Sequence, residues 1–555
     1  MTHRPARPNP VPWWQRATGY QIWPRSFCDS NGDGIGDIPG IIGKLDHLGD
    51  LGIGFIWLSP VYASPMVDMG YDISDYRAIA PEFGTLDDFD RLIAEAGARN
   101  IRIVMDLVVN HTSDRHAWFG TARADPAAPE HAFYIWRDPA PDGGPPSDLR
   151  ACFGGPAWHW VPDLGKYYLG YFSSAQPDLN WRNPALRREV FDMMNWWLDR
   201  GIGGFRMDVI SLIGKDVDAG IYEEGPYLHE YLREMHRETL AGRDVVTIGE
   251  SWSVSPDTAL LYCGRDRREL DMVFQFNHVT AFEHPVHGKW QPRPFDLVRF
   301  KAELFAWQAV MADDGWNSLF LSNHDLPRQV SKYGDPVHHR VRSAKMLATA
   351  IHLMRGTPFI YQGEEIGMTN AAFSRIGQFR DLETLGLYRD LVEHGMSERD
   401  FIAGANRNGR DNARTPVQWS DVPHAAFTTG TPWIEVNPNA DTLNVAADRA
   451  DPNGVFAHYA RLIHLRRTME IVSHGRFVPC AQDDPAILAY ARECEGRRLS
   501  VVANFTGNEV AFDVPERLAV AGAPLVHNVA PRTSLRGRLH LAPYEAFAVL
   551  GAVEP

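Results

Sequence analysis

Short apolar runs rich in β-branched and aromatic residues recur along the chain, and each ends in polar residues. Segments with apolar positions at helical spacing follow them, most clearly at 86–99 and 184–198. Alternation of strand and helix is typical of a parallel sheet covered by helices. The eight predicted strands are 20–27, 53–60, 101–108, 203–210, 245–250, 272–277, 318–325 and 358–364. We therefore predict an α/β protein built on a TIM (β/α)₈ barrel, with its active site at the carboxyl ends of the strands.

Two long insertions and a change of pattern divide the chain further. Residues 109–182, rich in Pro, Gly and Trp, are predicted to form a lobe inserted after the third strand. Residues 1–108 and 183–477 then make up the catalytic barrel, with a loop insertion near 369–431. From residue 478 onward, strands follow one another without helical segments, which predicts a C-terminal antiparallel β domain at 478–555.

Charge and composition narrow the classes of partner. The formal net charge of −15 argues against nucleic acid, because no stretch concentrates Lys and Arg. No stretch approaches the roughly 20 apolar residues of a membrane span, so we expect a cytoplasmic protein with no membrane partner. The five cysteines are scattered singly, without metal-site spacing, and predict reduced thiols. We expect no organic cofactor, and a monomer or weak homo-oligomer.

Polar side chains gather where the predicted strands end, and many of them are carboxylates. They are Asp106, Asn110 and His111 after strand three, Arg206 and Asp208 at strand four, Glu250 at strand five, and Asn323, His324 and Asp325 at strand seven. In a barrel these ends face one pocket. Several carboxylates beside an Arg and two His suit glycoside hydrolysis, which needs one acid to protonate the leaving oxygen and a second to attack carbon or activate water. The alternative is an ion-pair network at the barrel rim.

Seven motifs in order resemble the α-amylase family of glycoside hydrolases (family thirteen), in its oligo-1,6-glucosidase, dextran glucosidase and α-glucosidase branch. The resemblance covers nearly the whole chain. The motifs are SPMVDMGYD at 64–72, DLVVNH at 106–111, QPDLN at 176–180, GFRMDVI at 204–210, GES at 249–251, FLSNHD at 320–325 and RDNARTPVQW at 410–419.

The resemblance implies a retaining double displacement, with Asp208 as nucleophile, Glu250 as general acid/base and Asp325 as a third carboxylate on the sugar hydroxyls. The spacing of the strand agrees, because Arg206 points to the same side as Asp208 and is expected to keep that carboxylate ionised. Burial and nearby negative charge are expected to raise the pKa of Glu250.

The resemblance also implies the substrate contacts. His111 and His324 would bind hydroxyls of the sugar in subsite −1, and Tyr71 would stack under its ring. Asp68 with Arg410 would bind the 4-hydroxyl of a terminal glucose, which makes the enzyme exo-acting.

Some positions have an ordinary structural alternative. Phe153 and Phe172 are candidates for lining the pocket, and their alternative is a place in the core of the lobe. Lys289 and Glu383 are candidates for subsite +1, and a surface ion pair explains each equally well.

The substrate is therefore expected to be a short oligosaccharide, and Val209, directly after the nucleophile, favours α-1,6 over α-1,4 bonds in this branch. The loop at 211–226 looks short for an oligo-1,6-glucosidase, which leaves chain-length preference open. An α-1,4-glucosidase or a transglycosylating or sucrose-acting relative remains the alternative, although the RLDRD signature of sucrose isomerases is absent. A non-catalytic homologue would have lost the three acids and would carry a membrane anchor.

The segment DSNGDGIGD at 29–37 places oxygen donors at alternate positions, separated by glycines, as in the first part of an EF-hand loop. Gly40 stands where that loop has its Glu, so the likeness is partial. We predict a structural Ca²⁺ site, with Mg²⁺ as the alternative ion and a metal-free Asx-turn loop as the alternative hypothesis. The branch resemblance implies the same site. The predicted ligands are Asp29, Asn31, Asp33, the Ile35 carbonyl and Asp37.

Overall fold

The computed structural model describes residues 11–553. An eight-stranded parallel sheet forms its centre, in the strand order 6-5-4-3-2-1-8-7. Each strand from two to six pairs with its predecessor in the chain, whereas strand eight pairs with both strand seven and strand one. Strands six and seven close the barrel through a hydrogen bond of 2.8 Å from Ser318 Oγ to the Val273 carbonyl. The barrel strands are Gly19–Ile22, Phe55–Leu58, Arg102–Leu107, Gly204–Met207, Val246–Glu250, Met272–Phe274, Ser318–Leu319 and Thr357–Tyr361. The predicted barrel is confirmed.

The predicted strands overlap the observed ones, but all except the fifth run too far at their carboxyl ends. Strand seven was expected over 318–325, whereas only Ser318–Leu319 is paired. Phe320 and Leu321 are still buried, at 3% and 2% exposure, because the turns at the barrel mouth are covered by other loops. Hydrophobicity therefore continues past the last hydrogen bond of the strand.

Helices surround the sheet and begin at recognisable caps. Thr85 forms a capping box with Asp88 at the start of Leu86–Ala98, and Asn183 caps Pro184–Asp199 with Pro at its first position. The helices are Ile38–Ile42, Leu45–Leu51, Leu86–Ala98, Ala117–Ala124, Pro184–Asp199, Leu228–Met235, Ala259–Cys263, Asn277–Thr280, Leu297–Val310, Gln329–Tyr333, Arg340–His352, Leu382–Glu393, Glu398–Asn408, Asp411–Arg414, Val445–Ala450, Val455–Thr468 and Glu470–Ser473. Within residues 11–553 none of them is both long and apolar enough to cross a bilayer.

Smaller sheets lie outside the barrel. Trp136–Arg137, Trp158–Val161 and Lys166–Leu169 pair in the segment after strand three, and Tyr62–Ala63 pairs with Asp75–Ile79 after strand two. Near the C-terminus a six-stranded antiparallel sheet and a two-stranded one pack around an apolar core of their own. Its strands are Arg476–Cys480, Ile487–Cys494, Arg497–Asn504, Val520–His527, Ser534–Leu535 and Ala546–Ala552, with Val510–Asp513 and Arg538–Leu541 as the pair.

Candidate active site

A cavity of about 350 Å³ opens at the carboxyl ends of the barrel strands. It brings together side chains that lie far apart in the sequence, including every catalytic and substrate-binding residue predicted above except Arg206. Those on its wall are Asp68, Tyr71, His111, Phe153, Phe172, Asp208, Val209, Glu250, His324, Asp325 and Arg410. The remaining residue, Arg206, lies behind this wall with only 1% of its surface exposed.

The Arg206 guanidinium is the centre of the acid cluster. It contacts Asp106 and Asp208 at 2.8 Å each and Glu250 at 2.6 Å. Its carbon lies 4.7 Å from the centre of the Trp57 ring. One buried cation thus holds three carboxylates from three neighbouring strands, as the period of two along strand four requires for Arg206 and Asp208.

The protonation of Asp208 differs from the expectation. Burial raises the pKa of this carboxyl well above its ordinary value; Arg206 opposes the rise, and the negative charges of Glu250 and Asp106 add to it. The prediction that Arg206 alone keeps Asp208 ionised left out this desolvation and these neighbouring charges. One guanidinium carries a single positive charge and cannot balance the negative charges of three carboxylates.

Two N–H groups hold the Glu250 carboxylate. The backbone N–H of Val209 donates to Oε2 at 3.0 Å, and the indole N–H of Trp252 donates to Oε1 at 3.0 Å. Val209 has a left-handed backbone with φ of 35°, two residues beyond the end of strand four, so it is not a strand residue. Trp252 itself is fixed by stacking on Phe276 at 3.7 Å. The carboxylate therefore has a defined orientation toward the cavity.

Both candidate histidines are buried and their pKa values are lowered. Burial brings the pKa of His111 to about 4 and lowers that of His324 well below its ordinary value. His324 stacks on Tyr71, with ring centres 5.3 Å apart, and its Nε2 lies 2.7 Å from the Tyr71 hydroxyl. Neutral imidazoles are thus available to donate or accept hydrogen bonds.

A buried ion cluster forms part of the cavity wall. Arg410 contacts Asp381 at 2.7 Å, Asp325 at 3.1 Å, Glu383 at 3.2 Å and Asp68 at 3.4 Å. Because Asp68 and Arg410 come from the loops after strands two and eight, the two loops meet here. The resemblance to known enzymes had indicated this pair, and the structure brings it together.

Two of the carboxyls that contact Arg410 titrate in opposite directions. Burial raises the pKa of Asp68 to about 7, although Arg410 and Arg414 lower it. For Asp325 burial also opposes ionisation, but His324, Arg410 and Arg414 together hold its pKa below the ordinary value. Asp325 therefore stays ionised more readily than Asp68.

The wall of the cavity also carries the candidates for subsite +1. Lys289 and Glu383 form an ion pair of 2.6 Å, and both lie on the wall. Phe153 and Phe172 reach the cavity from the inserted segment, their ring centres 5.4 Å apart. The sequence alone missed several wall residues, and these are Cys152, Tyr171, Ser211, Leu212, Glu223, Trp252, Glu283, Gly288 and Trp290. They belong to loops without a local pattern, so only the folded loops show that they share the site.

Comparison with known proteins now settles the family. The alpha amylase catalytic-domain family matches residues 21–475. The chain belongs to the alpha-amylase family. It is 52% identical over 544 residues to a palatinase of Erwinia rhapontici, covering 97% of this chain and 99% of the relative. It is 48% identical over 563 residues to an oligo-1,6-glucosidase of Halalkalibacterium halodurans, covering 98% and 99%.

Similarity to a solved structure supports the same family. A trehalose-6-phosphate hydrolase of Bacillus licheniformis superposes with a TM-score of 0.93 at 43% identity, covering 97% of this chain and 99% of that one. The chain is therefore a glycoside hydrolase, and the likeness extends over its whole described length, including the C-terminal sheets.

The glycine-rich loop of this glycoside hydrolase lies away from the catalytic cavity. Asp29 accepts backbone N–H groups from Asn31, Gly32 and Gly34 at 2.7 to 2.9 Å, and it also accepts the Thr428 hydroxyl. Asp37 accepts from the Gly40 N–H at 2.6 Å and caps the helix Ile38–Ile42. These are Asx-turn contacts.

Asn31 and Asp33 repeat these contacts: the Asn31 side-chain oxygen accepts the Asp33 N–H and the Asp33 carboxylate accepts the Ile35 N–H. In the part of the chain that is described, no group of three or more His, Cys, Asp or Glu is arranged to hold a metal. The donors of the loop are all oxygens, which is the chemistry that Ca²⁺ and Mg²⁺ prefer.

Proposed function

We propose that the protein is an exo-acting, retaining α-glucosidase that releases terminal glucose from short α-glucosides and prefers α-1,6 bonds. One observation carries the proposal: Asp208 and Glu250 contact neighbouring nitrogens of one guanidinium, and the wall of the same pocket carries the Asp68–Arg410 ion pair. We infer that this pair closes the pocket beyond the terminal glucose. A pocket with one closed end accepts the end of a chain rather than its middle.

The two carboxylates divide the reaction. Asp208 attacks the anomeric carbon while Glu250 gives its proton to the glycosidic oxygen, so the aglycone leaves and a glucosyl ester forms. Glu250, now ionised, takes a proton from water, which attacks the same carbon and frees Asp208. Retention requires carboxyl groups about 5 to 5.5 Å apart, and two carboxylates on one guanidinium satisfy the need for close approach.

The other wall residues bind the terminal glucose. Asp325 accepts hydrogen bonds from its hydroxyls, and the neutral His111 and His324 donate or accept. Asp68 and Arg410 take the 4-hydroxyl at the closed end. A longer chain on that hydroxyl would collide with the ion pair, which is the physical reason for exo action.

The preference for α-1,6 bonds rests on Val209 and on the oligo-1,6-glucosidase and palatinase that the chain resembles. Val209 lies on the wall directly after the nucleophile. A methyl-scale difference at such a place supplies about 1 to 3 kcal/mol of discrimination. Isomaltose and palatinose, in which glucose is α-1,6-linked to glucose or fructose, are the proposed substrates.

A phosphorylated aglycone does not suit the cavity, although the chain also resembles a trehalose-6-phosphate hydrolase. Seven carboxylates line the wall against two cations, Lys289 and Arg410, and both cations are engaged by wall carboxylates. A phosphate ester carrying about −1.5 to −2 charges would meet uncompensated negative charge. The substrate is therefore neutral.

The test is kcat/KM on isomaltose, palatinose, maltose, sucrose and trehalose 6-phosphate, with the anomer of the released glucose followed by NMR. We expect the two α-1,6 substrates to lead, trehalose 6-phosphate to be the poorest, and α-glucose to appear first. A clear preference for maltose would make the protein an α-1,4-glucosidase, and initial β-glucose would refute the retaining mechanism.

We also propose that the loop at 29–37 binds Ca²⁺ through Asp29, Asn31, Asp33, Asp37 and the Ile35 carbonyl. Its support is the all-oxygen donor set and the positive φ of Gly32 and Gly34, 83° and 91°, which permit the tight loop. The ion would stabilise the fold and take no part in catalysis. Removal with EDTA should lower the Tm, and Ca²⁺ should restore it by mass action. An unchanged Tm, or an equal response in Asp33→Ala, would contradict the site.

We also propose a cytoplasmic location and a simple state of assembly. All five cysteines, free in the structure, suit a reducing compartment such as the cytoplasm. We propose a monomer or weak homo-oligomer, to be tested by light scattering over a range of concentrations.

A further inference from the structure

A second cavity lies between the inserted segment and the barrel. Its volume is about 410 Å³, and it shares no wall residue with the catalytic cavity. Four basic side chains line it, and within residues 11–553 none of its lining residues is acidic. Those four are Arg137, Lys166, Arg182 and Lys215. We call it the basic cavity.

We propose that the basic cavity binds a small sugar phosphate of the hexose phosphate class. Its volume falls in the range of ligand pockets. The volume leaves room for a sugar ring, while the cations among its lining residues provide for the phosphate.

Three of the cations are available to a ligand. Arg182 forms no salt bridge in the described chain; its guanidinium packs on the Tyr227 ring at 4.9 Å and donates to the Tyr227 hydroxyl at 3.2 Å. Arg137 pairs with Asp218 and Lys166 with Asp138, but these carboxylates are 65% and 78% exposed. Exposed ion pairs contribute little, so a phosphate can replace either carboxylate at small cost.

Two of these three cations are guanidinium groups, whose paired N–H donors match the oxygens of a phosphate. A dianionic phosphate would therefore contact two guanidinium groups and one ammonium group. In a protein with a formal charge of −15, a cavity without lining carboxylates is also the place where an anion meets least repulsion.

The fourth cation belongs to the structure of the cavity. The Lys215 ammonium is buried, donates to Asn110 Oδ1 at 2.6 Å and pairs with Asp178. The Asn110 amide in turn lies 3.1 Å from His111 Nδ1, which reaches the catalytic cavity. The floor of the basic cavity and the wall of the catalytic cavity are thus joined by one chain of contacts.

The test is calorimetric titration of the full-length protein with glucose 6-phosphate, inorganic phosphate and glucose in separate experiments. We expect glucose 6-phosphate to bind more tightly than either part alone. Arg182→Gln should weaken it about tenfold, the size of one lost charge-assisted hydrogen bond. Arg188→Gln is the matched control, because Arg188 is an exposed arginine nearby that does not line the cavity.

The outcomes separate cleanly, and none depends on turnover, so failure here leaves the proposed glucosidase activity untouched. Equal binding of phosphate and glucose 6-phosphate would refute the sugar part of the proposal. No heat with any ligand, or equal weakening by Arg182→Gln and Arg188→Gln, would refute the site. Circular dichroism and the Tm of Arg182→Gln beside wild type check that the variant is folded.

Discussion

Two cavities lie side by side in this glycoside hydrolase and carry opposite charge. The catalytic cavity, of about 350 Å³, has seven carboxylates and two cations on its wall. The basic cavity, of about 410 Å³, has four cations and, among its described lining residues, no carboxylate. The charged side chains of the two cavities differ in burial as well as in the sign of their charge. Burial determines whether such a side chain has a shifted pKa or can exchange its partner for a ligand.

Charges of the catalytic cavity are enclosed. Arg410 has 8% of its side chain exposed and serves four carboxylates, so desolvation is large and removal of one partner leaves others unpaired. In the basic cavity Lys215 is buried, but Arg137 and Lys166 each keep 35% of the side chain exposed and pair with more exposed carboxylates. Enclosed charges acquire shifted pKa values and suit chemistry, whereas exposed ones suit exchange for a ligand.

The largest effect is expected at the nucleophile. Asp208→Ala should lower kcat/KM on isomaltose by a factor on the order of 10⁴ or more, because no other group can form the glucosyl ester. Thermal stability should hold, since a desolvated carboxyl is removed. The matched variant is Asp218→Ala at the basic cavity, whose activity should stay within about twofold of wild type. Comparable losses in both would contradict the division between the cavities.

Removal of one arginine from each cavity tests the role of burial directly. Arg410→Met should cost about 3 to 5 kcal/mol of unfolding free energy, because it leaves buried carboxylates without their cation. Arg182→Met should cost less than about 1 kcal/mol. Urea denaturation of both variants beside wild type measures the difference. Equal losses would show that burial does not separate the two sites.

A smaller effect is expected on the preference for α-1,6 over α-1,4 bonds. Val209→Thr should lower the ratio of kcat/KM for isomaltose over maltose about tenfold, within the range available to a single side chain. Val217→Thr, on the wall of the basic cavity, makes the same chemical change elsewhere and should leave the ratio unchanged. An unaltered ratio in Val209→Thr would remove Val209 from the determinants of linkage.

A further effect concerns the pH dependence of stability. Burial raises the pKa of Asp68 to about 7, above its unfolded value of about 3.9, so between these values the folded state binds more protons and stability falls as pH rises. Asp68→Asn should remove this contribution, at most about 1.4 kcal/mol per pH unit. Urea denaturation between pH 4 and 8 measures it. Parallel pH curves for the two proteins would contradict the shift.

The placement of the proposed catalytic residues on one cavity was accessible to prediction because they sit at strand ends in recognisable motifs. Arg206, Asp208 and Glu250 meet as the barrel geometry requires. The protonation of Asp208 was not predictable in the same way, since it depends on how close Glu250 and Asp106 come and on how little water reaches them. Trp252 was missed as well, although it directly supports Glu250 through its indole N–H.

The basic cavity lay outside prediction altogether. Its cations come from two strands of the inserted sheet, from the start of a helix after strand three and from the loop after strand four. None of them stands in a basic run or in a motif that suggests a ligand. Their common orientation toward one space arises only when the inserted segment packs on the barrel.

By itself, the sequence determined the barrel, the order of its strands and the carboxylates at their ends, because apolar periodicity and strand-end position are properties of the local chain. Tertiary structure decided where the strands stop, how Val209 turns its N–H toward Glu250, which charges are enclosed and which remain in water. These depend on contacts between distant segments, and the desolvation that such contacts produce is set by the whole fold rather than by any stretch of it.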